Sequence, residues 1–172
     1  MQDNQDLKGT LRPPTPSELQ SVNSTLRGCK AVVATHFTFL VHELSYREVY
    51  AFLDPVLVEY AKRISAKRNV YFAGIYAGSF RGERFRLSLD FAERLYRLGC
   101  LSNTVVVDQK QEQRFLYGRD LEGITPPLGM MAADFVVVVN KAGDVLGLGR
   151  YEESSKRLVN LVDKGWYLRR GH

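Results

Sequence analysis

Asp134 to Arg150 reads DFVVVVNKAGDVLGLGR, and the fold turns on that stretch. Four consecutive valines after Phe135, bounded by turn formers, predict a short buried strand. Asn140-Lys141-Ala142-Gly143 supplies a turn, with Gly143 free to take a positive φ. A second strand leaves the turn over Val145 to Leu148, interrupted by Gly147 and followed by Gly149. Glycine inside a strand weakens it, so its presence points to close approach by another backbone or by a ligand. Arg150 ends the stretch, and a basic tail follows. The valines alone describe an ordinary core hairpin. The glycines and the flanking charge ask for more.

The chain has 172 residues, enough for one domain or two small ones sharing an interface. Apolar residues make up 45% and charged residues 25%, ordinary for a globular protein. A net charge of +5 and a pI near 9.3 favour an anionic partner. Nucleic acid comes ahead of a membrane, because no basic amphipathic helix or lipidation signal is found. No apolar run is long enough to span a bilayer, and no secretory leader is read. Cys29 and Cys100 form no metal spacing and are expected as buried thiols in a reducing compartment.

Residues 1–10 are polar and glutamine-rich and read as a disordered arm, with order expected from about Leu11. Thr15-Pro16-Ser17-Glu18 is a capping box with proline at the first helical position. Leu19, Val22 and Leu26 fall on one face of the helix it opens, and Gly28 stops it. Lys30 to Leu44 reads as strand, with Val32, Val33, Phe37, Phe39 and Val41, and a second strand is centred on Tyr50 and Phe52. Asp54-Pro55 opens another helix, with Leu57, Ala61 and Ile64 as the buried stripe and Lys62, Arg63 and Lys67 outside. Val70 to Tyr76 reads as strand, Gly78 and Gly82 bracket a turn, and Arg84 to Leu87 pairs back. Ser88 to Leu98 is a helix ended by Gly99. Beyond a boundary near Leu101–Thr104 the chain turns β-rich: Thr104–Asp108, a helical turn around Glu112–Tyr117, the hairpin above, and a last strand pair across Arg157–Val162 and Gly165–Arg169. Short strands with glycine turns and one small helix suggest a compact barrel.

No catalytic constellation is read. His36 and His42 lie in apolar surroundings and read as satisfied structural histidines. No Cys/His cluster has zinc spacing, and no nucleophile elbow is present. Gly74, Gly78 and Gly82 lack the helix that a phosphate cradle needs directly after it. The carboxylates read as solvated surface. The carboxyl-terminal end is more informative: Lys156, Arg157, Lys164, Arg169 and Arg170 face a single acid, Asp163. Clustered cations beside bare backbone can neutralise phosphates and release counterions. A second candidate is the aromatic and basic mix of Tyr71–Phe85, with Tyr76, Phe80, Arg81, Arg84 and Phe85, since aromatics on an open sheet face can stack bases.

Phe115-Leu116-Tyr117-Gly118, Gly123-Ile124, the valine strand, Asn140, Gly143, Leu146 to Arg150 and Asp163 to Arg169 together resemble a PUA domain, a small RNA-binding pseudo-barrel, over residues 101–172. Leu11-Arg12-Pro13-Pro14-Thr15, Phe85-Arg86-Leu87 and Glu112-Gln113 are similar to the Nip-seven family of ribosome-biogenesis proteins, on a match that spans nearly the whole chain after residue 10. The arm at 1–10 stands outside that likeness. The resemblance implies an α/β amino-terminal domain at 11–100, mostly antiparallel sheet with about three helices, ahead of the PUA domain. It implies a non-enzymatic factor in large-subunit ribosome biogenesis and pre-rRNA processing, of archaeal type, without catalytic residue, metal or cofactor. Its partners would be RNA and pre-ribosomal particle proteins and not a membrane, and the chain would be a monomer in the cytoplasm, or nucleolar in a eukaryote. By position, Lys156 and Arg157 are the foremost RNA contacts, with Arg150, Lys164, Arg169 and Arg170 beside them. Gly118, Gly147 and Gly149 would let RNA come close. Two alternatives stay open: an RNA-modification enzyme or accessory subunit carrying a PUA domain, and a protein-interaction module.

Overall fold

The structure, a computed structural model, describes residues 10–43, 45–101, 103–126 and 135–169. The arm at 1–9, Asp134 and Arg170 lie outside the described residues. Two compact units divide between Phe91 and Ala92.

The first unit is an antiparallel sheet of β1 (Thr10–Arg12), β2 (Thr38–Glu43), β3 (Arg47–Phe52), β4 (Ile75–Arg81) and β5 (Arg84–Leu87), in that order across the sheet. Alternation along the strands gives the sheet two faces. Leu11, Leu40, Tyr50 and Phe52 pack with Val58 and Ala61 of α3 (Pro55–Ser65) on one. The other carries Phe39, whose ring meets Phe91 edge-on at 6.1 Å, with Phe91 belonging to α4 (Leu89–Arg97). The capping box forms as its spacing requires: the Glu18 N–H donates to the Thr15 hydroxyl at 3.3 Å and the Thr15 N–H to the Glu18 carboxylate at 2.8 Å, opening α1 (Pro16–Thr25). Val22 and Leu26 are buried, whereas Leu19 is exposed.

Tertiary packing overrides local preference at several places. Residues 30–36 form a helix, α2 (Lys30–His36), not the start of a strand. The helix propensity of valine is a few tenths of a kcal/mol poorer than alanine's, and burying Val33 recovers about 1.5 kcal/mol or more. The buried stripe of α3 is Val58, Ala61 and Ser65, one position round from the expected one, and Leu57 is exposed. The short link from β3 fixes this phase: Asp54 caps the helix through the Val56 N–H at 2.8 Å, two residues after Phe52. β4 begins at Ile75 rather than Val70, because Gly74 at φ +76° interrupts the extended chain. Gly78 lies inside β4, opposite Leu87, and the turn is made by Gly82 and Glu83.

The second unit holds a five-stranded mixed sheet in the order β6 (Thr104–Val106), β8 (Phe135–Val139), β9 (Val145–Glu152), β10 (Arg157–Asp163), β7 (Leu121–Glu122). Only the β6–β8 pair within it is parallel. Val136 to Val139 are fully buried, so the valine strand is covered on both faces. The turn after it is as expected: Asn140 Oδ1 accepts from the Ala142 and Asp144 N–H groups at 3.0 and 2.9 Å, and Gly143 sits at φ +87°. Phe115 of α5 (Gln109–Leu116) enters a core with Val105, Leu121, Val136, Val138, Leu146 and Leu158. β9 runs on to Glu152, so Arg150 lies within the strand and does not end it. Residues 166–169 form a helical turn, α6 (Trp166–Arg169), where a strand was expected. The cause is Gly165, where any side chain would run into the Leu116 carbonyl, so the chain is pinned to α5 and turns away from the sheet.

Candidate nucleic-acid interface

The cations expected to face RNA run from β9 to α6, and most of them hold an acid. Arg150 reaches Glu152 Oε1 at 3.3 Å. Arg157, at the start of β10, takes the other oxygen of that carboxylate at 3.2 Å and Asp120 Oδ2 at 3.2 Å. Arg157 first, and then Arg150, hold the Glu152 carboxyl below its ordinary range. Both guanidinium groups stay partly open, each side chain 42% exposed. Lys164 pairs with Glu93 of α4 at 2.7 Å, and its hydrogen bond, with that of Arg97, keeps the Glu93 carboxyl low. Arg169 forks onto Asp163, at 2.9 and 3.0 Å to the two oxygens, and also donates to the Leu116 carbonyl. Asp163 is buried, so this pair is a brace inside the unit and not an open hand for a ligand.

Lys156 differs from its neighbours. It closes the turn between β9 and β10, where its N–H donates to the Glu153 carbonyl at 3.3 Å, and it does so at φ +49°. A non-glycine residue there is uncommon and carries backbone strain. Its side chain is exposed, and among the described residues no carboxylate pairs with it.

The glycines answer a different need from the one expected. A Cβ at Gly147 would press on the Val162 carbonyl and stand 2.8 Å from both Asp163 Cα and the Phe115 ring. At Gly149 it would meet the Leu158 side chain at 2.9 Å, and at Gly118 it would stand 3.0 Å from Arg169 Nη2. The close neighbours are this chain's own β10, α5 and Arg169. The space these glycines free is filled from within the unit.

His42 is buried, as expected of a structural histidine, but is not satisfied: neither ring nitrogen has a hydrogen-bond partner among the described residues, and Glu48 stands 3.8 Å away. His36 is exposed and bonds Thr35 at 2.8 Å. Among the described residues no group of three His, Cys, Asp or Glu could hold a metal ion. Nor is every carboxylate solvated surface. Glu18 is buried between Arg12, at 2.8 and 3.0 Å, and Arg47, at 3.0 Å.

The second candidate stretch divides by face. Phe80 and Phe85 turn inward, their rings 5.6 Å apart, with the Arg47 guanidinium 4.9 Å over Phe80. Arg81 and Arg84 turn outward, joined by two residues the sequence reading did not select for binding, Arg86 and Tyr46. The alternation of Arg84-Phe85-Arg86 was the available signal for Arg86.

A mixed five-stranded sheet packed on one short helix, following an antiparallel α/β unit, defines a PUA-containing architecture. Residues 103–172 match the UPF0113 PUA domain family. The chain belongs to the UPF0113 family: it is 32% identical to a UPF0113 protein of Archaeoglobus fulgidus, covering 92% of this chain and 94% of that one. A UPF0113 protein of Aeropyrum pernix is 33% identical, over 94% and 92% of the two chains. Among solved structures, a hypothetical protein from Pyrococcus horikoshii shares the fold with a TM-score of 0.55 at 16% identity, over 92% of this chain and 98% of that one. A conserved PUA domain protein from Thermoplasma acidophilum does so with a TM-score of 0.51 at 15% identity, over 91% and 95%. No helix among the described residues is long and apolar enough to cross a membrane.

Proposed function

We propose that this chain is a non-catalytic RNA-binding factor of the Nip-seven type, acting as a monomer in large ribosomal subunit assembly and pre-rRNA processing. Its partners are rRNA or its precursor and proteins of the pre-ribosomal particle. The observation that carries the reading is a PUA domain whose β9–β10 turn presents a lysine unpaired among the described residues, Lys156, on a backbone left-handed at that residue. Lys156 takes a phosphate directly. Arg157 and Arg150 join by exchanging Glu152 for phosphate oxygens, since a half-exposed ion pair is worth only about 0–1 kcal/mol. Such contacts give affinity and position with little sequence information.

The test is binding of labelled rRNA fragments across a salt series. Lys156→Ala weakens binding and lowers the log–log salt slope by about 0.7 to 0.9, the share of one phosphate. Adding Arg157→Ala lowers it further. Lys156→Gly separates charge from strain: it loses the same affinity while stability holds or rises by up to about 1 kcal/mol, because glycine accepts the positive φ. Unchanged affinity and slope in all three variants would remove this site. Micromolar binding of S-adenosylmethionine in a calorimetric titration would contradict the non-catalytic part.

A further inference from the structure

We propose that the open face of the β4–β5 hairpin is a second contact for RNA, specifically single-stranded RNA, with Arg81, Arg84 and Arg86 holding phosphates and Tyr46 stacking a base. This rests on the RNA-binding reading above and extends it to the first unit.

The register assembles the surface. Arg81 stands opposite Arg84, and Ser79 opposite Arg86. Glu48 of β3 stands opposite Ser79, so one row runs Glu48, Ser79, Arg86 across three strands. All of these project from the face that α3 packs on, and Phe80 and Phe85 from the other. α3 packs chiefly on β1, β2 and β3. Arg81, Arg84 and Arg86 are exposed.

The three arginines stand together on one face of the hairpin. Among the described residues none of them pairs with a carboxylate. The acid in their own turn, Glu83, is taken by Arg47 at 3.0 Å. Like charges directly opposite on a sheet repel and destabilise it, and Arg81 against Arg84 is such a pair. Charged residues on an edge strand can serve to prevent strand addition, but here α1 already lies against β5. The Ser21 hydroxyl of α1 accepts from the Phe85 N–H at 3.0 Å and donates to the Glu83 carbonyl at 3.0 Å. The repulsion has no structural return, and a bound anion would relieve it.

The remainder of the face selects the anion. Tyr46, directly ahead of β3 and two residues before Glu48, is 55% exposed, and the Glu48 charge raises its hydroxyl pKa. Tyr50 donates to Glu48 at 2.7 Å. Glu48 repels phosphate and accepts hydrogen bonds from base amino groups. A cationic rail along the sheet edge, with an aromatic ring and an acceptor on the inner side, fits a strand whose backbone follows the edge and whose bases turn inward. A duplex hides those bases, and an all-acidic polypeptide would meet Glu48 with like charge.

The test uses the full chain and a labelled mixed-sequence single-stranded RNA, with the matching RNA duplex and polyglutamate as comparators. Arg81→Ala/Arg84→Ala/Arg86→Ala weakens single-strand binding at least ~10-fold and lowers the salt slope by about 2, at about 0.7 per phosphate. Tyr46→Ala weakens binding several-fold with the slope unchanged, and Tyr46→Phe restores it. All these positions are exposed, and unchanged thermal melts confirm folded variants. If the triple variant binds as wild type while Lys156→Ala binds less, this contact is wrong and the RNA-binding reading stands. If wild type binds no RNA, both fail. Arginine-dependent preference for polyglutamate over RNA would overturn the proposal in favour of an acidic protein partner.

Discussion

The carboxyl-terminal cluster and the β4–β5 hairpin use charge differently, in units that carry almost the same net charge. Residues 1–91 hold twelve Lys and Arg against nine Asp and Glu, and residues 92–172 twelve against ten. In the second unit Arg150, Arg157, Lys164 and Arg169 are each tied to a carboxylate. On the β4–β5 hairpin of the first, Arg81, Arg84 and Arg86 are tied to none among the described residues. A density of cations along the sequence is therefore not a density of available charge. Availability depends on where the acids fall once the chain is folded. Lys156 is the described member of the carboxyl-terminal set that escapes pairing.

If the second unit's cations and glycines are structural, altering them should cost stability, and the largest loss should come at Gly147. Gly147→Ala forces a Cβ against backbone on β10 and the Phe115 ring, and should destabilise the unit by about 3 kcal/mol in urea unfolding. A loss below about 1 kcal/mol would mean the strands can part there. Arg169→Ala leaves the buried Asp163 carboxylate without its fork and should cost about 2 to 3 kcal/mol, with RNA affinity of the folded protein unchanged. Lost affinity at full stability would return Arg169 to the binding face.

The first unit has its own locked cations, and they give the comparison a pH axis. Arg12 above all, with the Thr15 N–H and Arg47, holds the buried Glu18 carboxyl down to about 2, from an ordinary value of 4.5. A carboxyl with a lowered folded-state pKa contributes stability above its unfolded value, and that contribution disappears as pH falls through the folded one. Stability should therefore drop by about 2 kcal/mol from this group as pH falls from about 5 to about 2. Glu18→Gln should flatten that slope and be less stable at neutral pH, as urea midpoints across the pH range would reveal. The smallest effect has the opposite sign: Arg81→Ser removes a like-charged cross-strand pair and should stabilise by up to about 0.5 kcal/mol. Destabilisation there would show that the arginine packs and does not merely repel.

Features written in neighbouring residues could be read from the sequence. The Thr15–Glu18 box, the Asn140–Gly143 turn and the valine strand each need only a few consecutive side chains, and each formed as expected. So did the fold class, an antiparallel sheet with helices followed by a PUA-type sheet. Features that depend on distant partners could not be read. The acids that occupy Arg157 and Lys164 come from Asp120 and Glu93, on other elements. Burial turned 30–36 into a helix. The strand glycines were rightly taken to mark close approach, but periodicity along one strand cannot say who approaches, and at Gly147 it is the chain itself. Arg170 lies outside the described residues, as does the arm at 1–9.

The order of strands has a consequence for how the chain comes into being. In the first sheet every neighbour in space is the next strand in sequence, whereas β6 pairs with β8 and β7 with β10. As synthesis proceeds from the amino end, the first sheet can complete itself as soon as β5 emerges. The second must hold β6 until β8 is made and β7 until β10 is made. During that interval the nascent chain is half native and half unclosed, its valine strand still without a full set of neighbours. Truncation before β10 would therefore spare the first sheet and leave β7 and one edge of β9 without a partner.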